Sequence, residues 1–518
     1  MIMNQYYIGF DNGTMGTKIA VYSIDGTLIS EAYREHEIKY PKPGWAEMDP
    51  DQFYNVVTDG ITECMKKSNI NPKNVRGISC SGIICGLVPI DDNWKPVGPY
   101  VPFLDGRATE EADYIQKNAE PIWAQEAGNP EVSAYMPPIV LKWFMNKQKD
   151  IFGKIRKTVS AAQYVLGRLG ELKAKDAFID WGHLSGWIVG FDAQKKNWSE
   201  RQIKEIGIPY ELLPKVVKPW EVVGTLSKKE AEKIGLVEGI PLIAGSGDIM
   251  QSNLGSAVID NGSCSDVAGT AAIFTVLSEI FSTHISATKM LNTGFSTLDN
   301  QYTYWGFIPA GGLSLRWFRD EILKEKGRDD SYDKMNKVIE HIPMGSNAVL
   351  FFPFLQGRSN PIWPNASAAW LGLSGGNGLG HLYRSIMESI AFEYLSWVSV
   401  CREIGIDIKD TTVIGGGSKS DLWNQMKADI LNSNYITLQR SEGAGIGNVV
   451  LAAYGAGDIP DIKETLREWV KVKNTYKPIK ANSELYNKVY RKREEILNGP
   501  LKEIFDKVAE LRNILSEI

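Results

Sequence analysis

At 518 residues the chain exceeds what one hydrophobic core ordinarily serves, so two domains of similar size are the first expectation. Its 43% hydrophobic and 23% charged composition is that of an ordinary globular protein, and a formal net charge of −5 excludes the basic surplus of a general nucleic-acid binder. No apolar run approaches the ~20 residues that span a bilayer, and the start, MIMNQYYIGF, lacks the basic and apolar regions of a signal peptide, so no membrane partner is expected.

The five cysteines (Cys64, Cys80, Cys85, Cys264, Cys401) are odd in number and scattered, without zinc-site spacing. They suit a reducing compartment, and the expected location is cytoplasmic.

In chain order, strand-like runs over 6–10, 17–23 and 28–30 are separated by Asn12-Gly13 and Asp25-Gly26, which predicts an antiparallel meander. A helix is predicted over 52–66 from Phe53, Val56, Val57, Ile61 and Met65, followed by strands over 75–79 and 86–90. Near the middle, 263–268 and 271–277 repeat the strand–turn–strand opening around Gly269-Thr270. Both copies set an Asp shortly before a Gly-Thr pair: Asp11 before Gly13-Thr14, and Asp266 before Gly269-Thr270. The echo suggests a duplicated α/β domain with the boundary between 256 and 262. Helices are predicted over 314–326, 380–403 and 419–432. A last one is predicted over 501–518, with Leu501, Ile504, Phe505, Val508, Leu511 and Leu515 on one face for packing or a dimer contact.

Phosphates bind where several backbone N–H groups converge, at glycine-rich turns and helix starts. The stretch from Asp11 to Lys18 qualifies, with small residues Gly13, Thr14, Gly16 and Thr17 between an acid and a base; a plain hairpin explains it equally on local grounds. Ala268-Gly269-Thr270-Ala271 is a second candidate. Gly415-Gly416-Gly417-Ser418-Lys419 is a third, after an apolar strand over 411–414 and ahead of a helix; it has neither P-loop nor G-x-G-x-x-G spacing. Gly443-Ala-Gly-Ile-Gly447 opens a helix without the βαβ context of a dinucleotide site. Asp248 ends the β-rich run Leu242–Gly247, where catalytic groups of α/β proteins sit; a helix N-cap is the competing use of an Asp there.

These residues resemble the FGGY family of carbohydrate kinases, whose members include xylulokinase, glycerol kinase and gluconokinase. The resemblance runs from Tyr7 to about Gly457. Its most specific part is Ala368-Ala-Trp-Leu-Gly-Leu373 followed by His381-Leu-Tyr-Arg-Ser-Ile-Met-Glu388, similar to the family's C-terminal signature. Gly415–Trp423 resembles its adenosine segment, Asp11–Lys18 and Gly269-Thr270 its two phosphate segments, and Ala310–Trp317 another nucleotide-side segment.

The resemblance implies an α/β chain of two ribonuclease-H-like domains of the actin and hexokinase type around a hinged cleft. Residues 1–257 would carry the sugar side and 258–518 the ATP side. It implies ATP-dependent phosphorylation of a hydroxyl on a small sugar or polyol, foremost a ketose such as a pentulose, with Asp248 as general base. Asp11 would hold Mg²⁺. Gly13, Thr14, Lys18, Gly269 and Thr270 would meet phosphates, and Gly311, Gly312, Gly416, Gly417 and Ser418 the rest of the nucleotide. A homodimer is a family-level expectation.

On the acceptor side, xylulokinase-like sequences carry Met-His-Gly where this chain has Ile84-Cys85-Gly86, and glycerol kinases an Arg-Glu pair. Cys85, Phe103, Asp105 and Tyr135 are the expected acceptor contacts beside Asp248, with mutual pairing of Asp105 and Arg107 as the competing expectation. An alternative function is a non-catalytic, actin-like sugar- or nucleotide-binding regulator, kept open by the altered loop.

Overall fold

The computed structural model describes residues 5–328, 330–440 and 443–516. The predicted meander forms: Tyr6–Asn12 pairs antiparallel with Gly16–Ser23, and that strand with Leu28–Glu35. Gly26 makes the second turn possible, because its φ of 76° lies in the left-handed region that side chains avoid. Helix Pro50–Ser68 then crosses the sheet, started by the Asp49 side chain accepting from the N–H of Asp51 and stopped at Asn69 in a left-handed conformation. Its fully buried Phe53, Val57 and Ile61 lie on one stripe, as the predicted periodicity requires.

The crossover returns the chain to Val75–Gly82, parallel to Tyr6–Asn12, and Pro241–Gly247 runs parallel beyond it. Reading from Leu28–Glu35 inward, the order is third, second, first, fourth and fifth strand, closed by Val222–Thr225 at the far edge. The second sheet repeats this plan. Cys264–Ala268 pairs antiparallel with Ala272–Ser278, which pairs with Tyr302–Ile308. On the other side, Thr411–Ile414 and then Tyr435–Leu438 run parallel. The repeated three-antiparallel, two-parallel sheet bears out the two ribonuclease-H-like halves.

Residues between Cys85 and Leu213 build a separate core around Trp123, Ile139, Leu184 and Phe191. Helix Gly443–Gly455 crosses back onto the first sheet, where Val449, Val450 and Leu451 bury against Tyr7, Ala20 and Ile243. It lies backbone to backbone on helix Asp248–Gly255: a Cβ on Gly255 would overlap the carbonyl of Gly443, and one on Gly447 the carbonyl of Gln251. The glycines of 443–447 therefore serve close helix packing.

Several elements differ from expectation. The helix predicted over 314–326 starts earlier, at Gly311, and runs as Gly311–Trp317 before widening into a π-turn over Phe318–Ile322. The one predicted from 419 starts at Asp421, capped by Ser420 Oγ, because Gly416–Lys419 forms a tight 3₁₀ turn ahead of it. On Pro500–Ser516, Leu501 and Phe505 pack against Phe352 and Phe354, while Ile504, Leu511 and Leu515 of the expected face are exposed. Positions 517–518 of that prediction lie outside the described residues. No helix among the described residues is long and apolar enough to cross a membrane.

Candidate active site

Two carboxylates stand at the same end of the first sheet. Asp11 lies opposite Ser81 in the register, and Ser81 opposite Ser246, two residues before Asp248. Ser81 Oγ donates to Asp11 Oδ1 at 2.7 Å, and Asn448 Nδ2 from the crossing helix donates to Ser81 Oγ at 2.9 Å. Asn448 Oδ1 in turn accepts from Gln251 Nε2 at 2.8 Å, so a chain of hydrogen bonds links the Asp11 strand to the Asp248 helix.

Asp248 is the first residue of helix Asp248–Gly255, and its Oδ1 accepts from the N–H of Ile249 at 2.8 Å. Burial, then the nearby charge of Asp11, pushes its carboxyl up to about 7. Asp11 is also raised, by burial, against the opposing pull of the Ser81 hydroxyl and the Lys18 ammonium. Such a pair of carboxylates, one of them titrating near neutrality, is suited to taking a proton from an alcohol.

Gly13 closes the first hairpin, its N–H donating to the carbonyl of Gly16 at 3.0 Å; Thr14 sits at the tip, partly buried. Lys18 pairs with Glu31 at 3.0 Å and, with Asp11, lines a cavity of about 270 Å³ that reaches Ile414 and Gly443. A larger cavity of about 700 Å³ opens in the second half of the chain. It gathers Gly269, Thr270, Gly312, Gly416 and Gly417 of the expected nucleotide set. Ile414, at the end of the strand preceding Gly415, lines the smaller cavity, while Gly416 and Gly417 just beyond it line the larger.

Four expected nucleotide contacts fall outside these linings: Gly13 and Thr14 of the first hairpin, and Gly311 and Ser418. Ser418 Oγ turns back to the carbonyl of Gly415 at 2.7 Å, which fixes the 3₁₀ turn. Gly311 is buried against Ala272, where a Cβ would overlap that residue's own Cβ. Conversely, Arg316, Tyr332, Asn336, Tyr383, Met387, Lys419 and Trp423 line the large cavity without having been singled out as site residues. Arg316 Nη2 donates to Thr270 Oγ1 at 2.5 Å, and Asn336 Oδ1 is buried without a partner. Arg316, Lys419 and Trp423 lie inside sequence segments read as nucleotide-side; nothing in the local pattern marks Tyr332 or Asn336. Asp266 is a core residue: it pairs with buried Lys427 and accepts from Tyr394 at 2.8 Å.

Among the expected acceptor contacts, Cys85 is the one tied to Asp248, whose charge adds to burial in pushing the thiol up to about 12. The thiol donates to the carbonyl of Gly186 at 3.1 Å. Tyr135 is near enough to Cys85 to feel it, its phenol raised first by burial and then by that thiol. Tyr100, which the sequence reading missed, donates to the carbonyl of Cys85 at 3.1 Å and responds to Asp248.

Phe103 is 42% exposed at the surface. Asp105 is occupied by its neighbours: Oδ1 accepts from the N–H and Nε of Arg107, and Oδ2 from Arg107 Nη2 and the N–H of Ala46. A carboxylate so fully paired is a strut for the Trp45–Arg107 corner rather than a free sugar contact.

Comparison with known proteins gives this geometry a family context. The N-terminal domain profile of the FGGY family of carbohydrate kinases matches residues 6–255, and its C-terminal domain profile residues 265–456. A xylulose kinase of Bacillus subtilis is 25% identical over 487 residues, covering 94% of this chain and 95% of that protein. A gluconokinase of the same organism is 24% identical over 495 residues, covering 93% and 94%. The crystal structure of a gluconate kinase from Lactobacillus acidophilus superposes with a TM-score of 0.88 at 22% identity, over 98% of this chain and 100% of that one.

Proposed function

The chain belongs to the FGGY family of carbohydrate kinases, and on that premise we propose that it moves the γ-phosphoryl group of ATP to a hydroxyl of a small sugar or polyol, with Asp248 as the base. A ketose, a pentulose first among them, is the acceptor class favoured by relatives named xylulose kinase. The observation that carries the base assignment is the Asp11–Asp248 pair, with Asp248 held near neutrality at the end of its strand.

In this reading residues 1–257 carry the acceptor and 258–518 the nucleotide, in the cytoplasm. The adenosine lies in the cavity between Gly269-Thr270 and Gly416-Gly417, with Gly312, Arg316 and Trp423 around it. The phosphates extend toward Lys18 and the Gly13-Thr14 hairpin. Asp248 takes the hydroxyl proton on its carboxylate as the oxygen approaches phosphorus; a loose transition state lets that proton leave late, so a modest base suffices. Closure of the cleft shuts out water, which competes as an acceptor.

Mg²⁺ fits the donor set. Among the described residues no cluster of three or more His, Cys, Asp or Glu side chains could hold a metal. Asp11, oriented by Ser81, would hold the ion through its hard carboxylate oxygen, an ion that otherwise favours phosphate and water oxygens. Bound with ATP, the ion neutralises charge on the phosphates. A non-catalytic regulator has no use for a carboxylate held near neutrality beside Asp11, which disfavours that alternative. Incubating the protein with Mg-ATP and candidate acceptors, and identifying a product heavier by one phosphoryl group, tests the proposal; ADP formed without any such product counts against it.

A further inference from the structure

One buried ionisable side chain beside Asp248 has no role in the account so far. His183, 1% exposed, sits on the short helix Trp181–Ser185 with Nδ1 2.5 Å from Asp180 Oδ2. Asp180 Oδ1 accepts from the backbone N–H of His183 at 3.1 Å, and Oδ2 also accepts from Gln163 Nε2 at 3.0 Å. A carboxylate with these donors only accepts, so the ring proton belongs on Nδ1 and the lone pair on Nε2. Nε2 is shielded from solvent and has no hydrogen-bond partner.

The helix is wedged between the acceptor loop and the Asp248 strand. A Cβ on Gly182 would overlap Ser246 Oγ and come within 2.5 Å of the Gly247 nitrogen. A Cβ on Gly186 would overlap the Ile84 carbonyl, and the Gly186 carbonyl accepts from the Cys85 thiol. An oriented acceptor atom at this spot, otherwise unsatisfied, calls for a donor.

Resting on the kinase reading above, we infer that His183 is a specificity-determining residue, its Nε2 accepting a hydrogen bond from a second hydroxyl of the acceptor, adjacent to the one that Asp248 deprotonates. The acceptor class is then a vicinal diol. It reaches Nε2 as the cleft opens and is enclosed as it shuts.

The test compares the best acceptor with its analogue deoxygenated at the neighbouring carbon, for wild type and His183→Asn. Asparagine can keep a donor to Asp180 while removing Nε2. The deoxy analogue is expected to cost wild type about 10- to 100-fold in kcat/KM, as loss of a buried hydrogen-bond partner does. His183→Asn should lose about the same on the full acceptor, mainly through acceptor KM, with ATP KM and Tm unchanged, and nothing further on the analogue. Losses that multiply, or an unchanged variant, overturn the assignment while leaving the kinase intact. If wild type phosphorylates no diol at all, the kinase reading falls with it. Should His183→Asn fail to fold, Asp180→Asn carries the test, since it keeps the imidazole but frees its tautomer; an unchanged acceptor KM there also overturns the assignment.

Discussion

Asp248 feels the charge of Asp11 across a single intervening strand, Val75–Gly82, and this repulsion adds to burial in holding Asp248 near neutrality. The two residues are 237 positions apart in sequence, yet the register through Ser81 and Ser246 brings them to one sheet end. In the proposed mechanism the Asp248 carboxyl accepts the acceptor's proton, so only its ionised form is competent. The kcat/KM for the acceptor should therefore fall as pH drops through about 7. In Asp11→Asn the charge that helps raise Asp248 is gone, and the acidic limb of the residual activity should move to lower pH. A limb that stays in place separates the two carboxylates.

The same shift predicts a stability effect. A carboxyl raised above its unfolded value near about 4 binds its proton more tightly in the folded state, so its contribution to stability declines as pH rises from about 4 to 7. Asp248→Asn removes the buried charge and should raise Tm at pH 8 by roughly 2–4 °C, with little change at pH 4. Equal Tm values for wild type and variant at pH 8 would count against a carboxyl raised by burial and by Asp11.

Much of this was legible in the sequence, and the parts that were not have physical reasons. The meander, the crossover helix and the duplicated hairpin were readable because turn residues and apolar periodicity are local signals. Asp11 and Asp248 were readable as strand-end acids, and Gly269, Thr270, Gly416 and Gly417 as turn residues. Asp105 was readable both as an acceptor contact and as the partner of Arg107, two residues on; the pairing is what the structure has, and the added N–H of Ala46 meets it only after folding. Gly311 and Ser418 looked like nucleotide contacts because glycine and serine serve tight packing and turn closure as often as ligands. Tyr332, Asn336 and His183 carried no pattern at all; only the packed chain brings them to a cavity or to a carboxylate.

Arg316 was unassigned in the sequence reading, yet its guanidinium touches Thr270 at the wall of the large cavity. Arg316→Ala should raise the KM for ATP by about tenfold, in line with loss of a charge-assisted contact, while leaving the acceptor KM alone. Steady-state kinetics with each substrate varied in turn checks this. An effect on the acceptor KM alone would move Arg316 out of the nucleotide site.

Gly167 tests the packing account away from the site. A Cβ there would overlap the indole of Trp94, a fully buried side chain held by a hydrogen bond from its Nε1 to the Tyr164 carbonyl at 3.0 Å. Gly167→Ala should cost about 1–3 kcal/mol through overpacking, seen as a lower denaturation midpoint. At temperatures where it stays folded, its kinetic constants should match wild type.

The most direct test of the central claim is acceptor-dependent ADP release by wild type and Asp248→Ala across ketoses, polyols, aldoses and sugar acids, with nucleotide affinity measured in parallel. The account predicts strong release with at least one acceptor, loss of about a thousandfold or more in the variant, and unchanged ATP affinity. Comparable acceptor-dependent turnover in Asp248→Ala, or equal ATP hydrolysis with and without every acceptor, would contradict it.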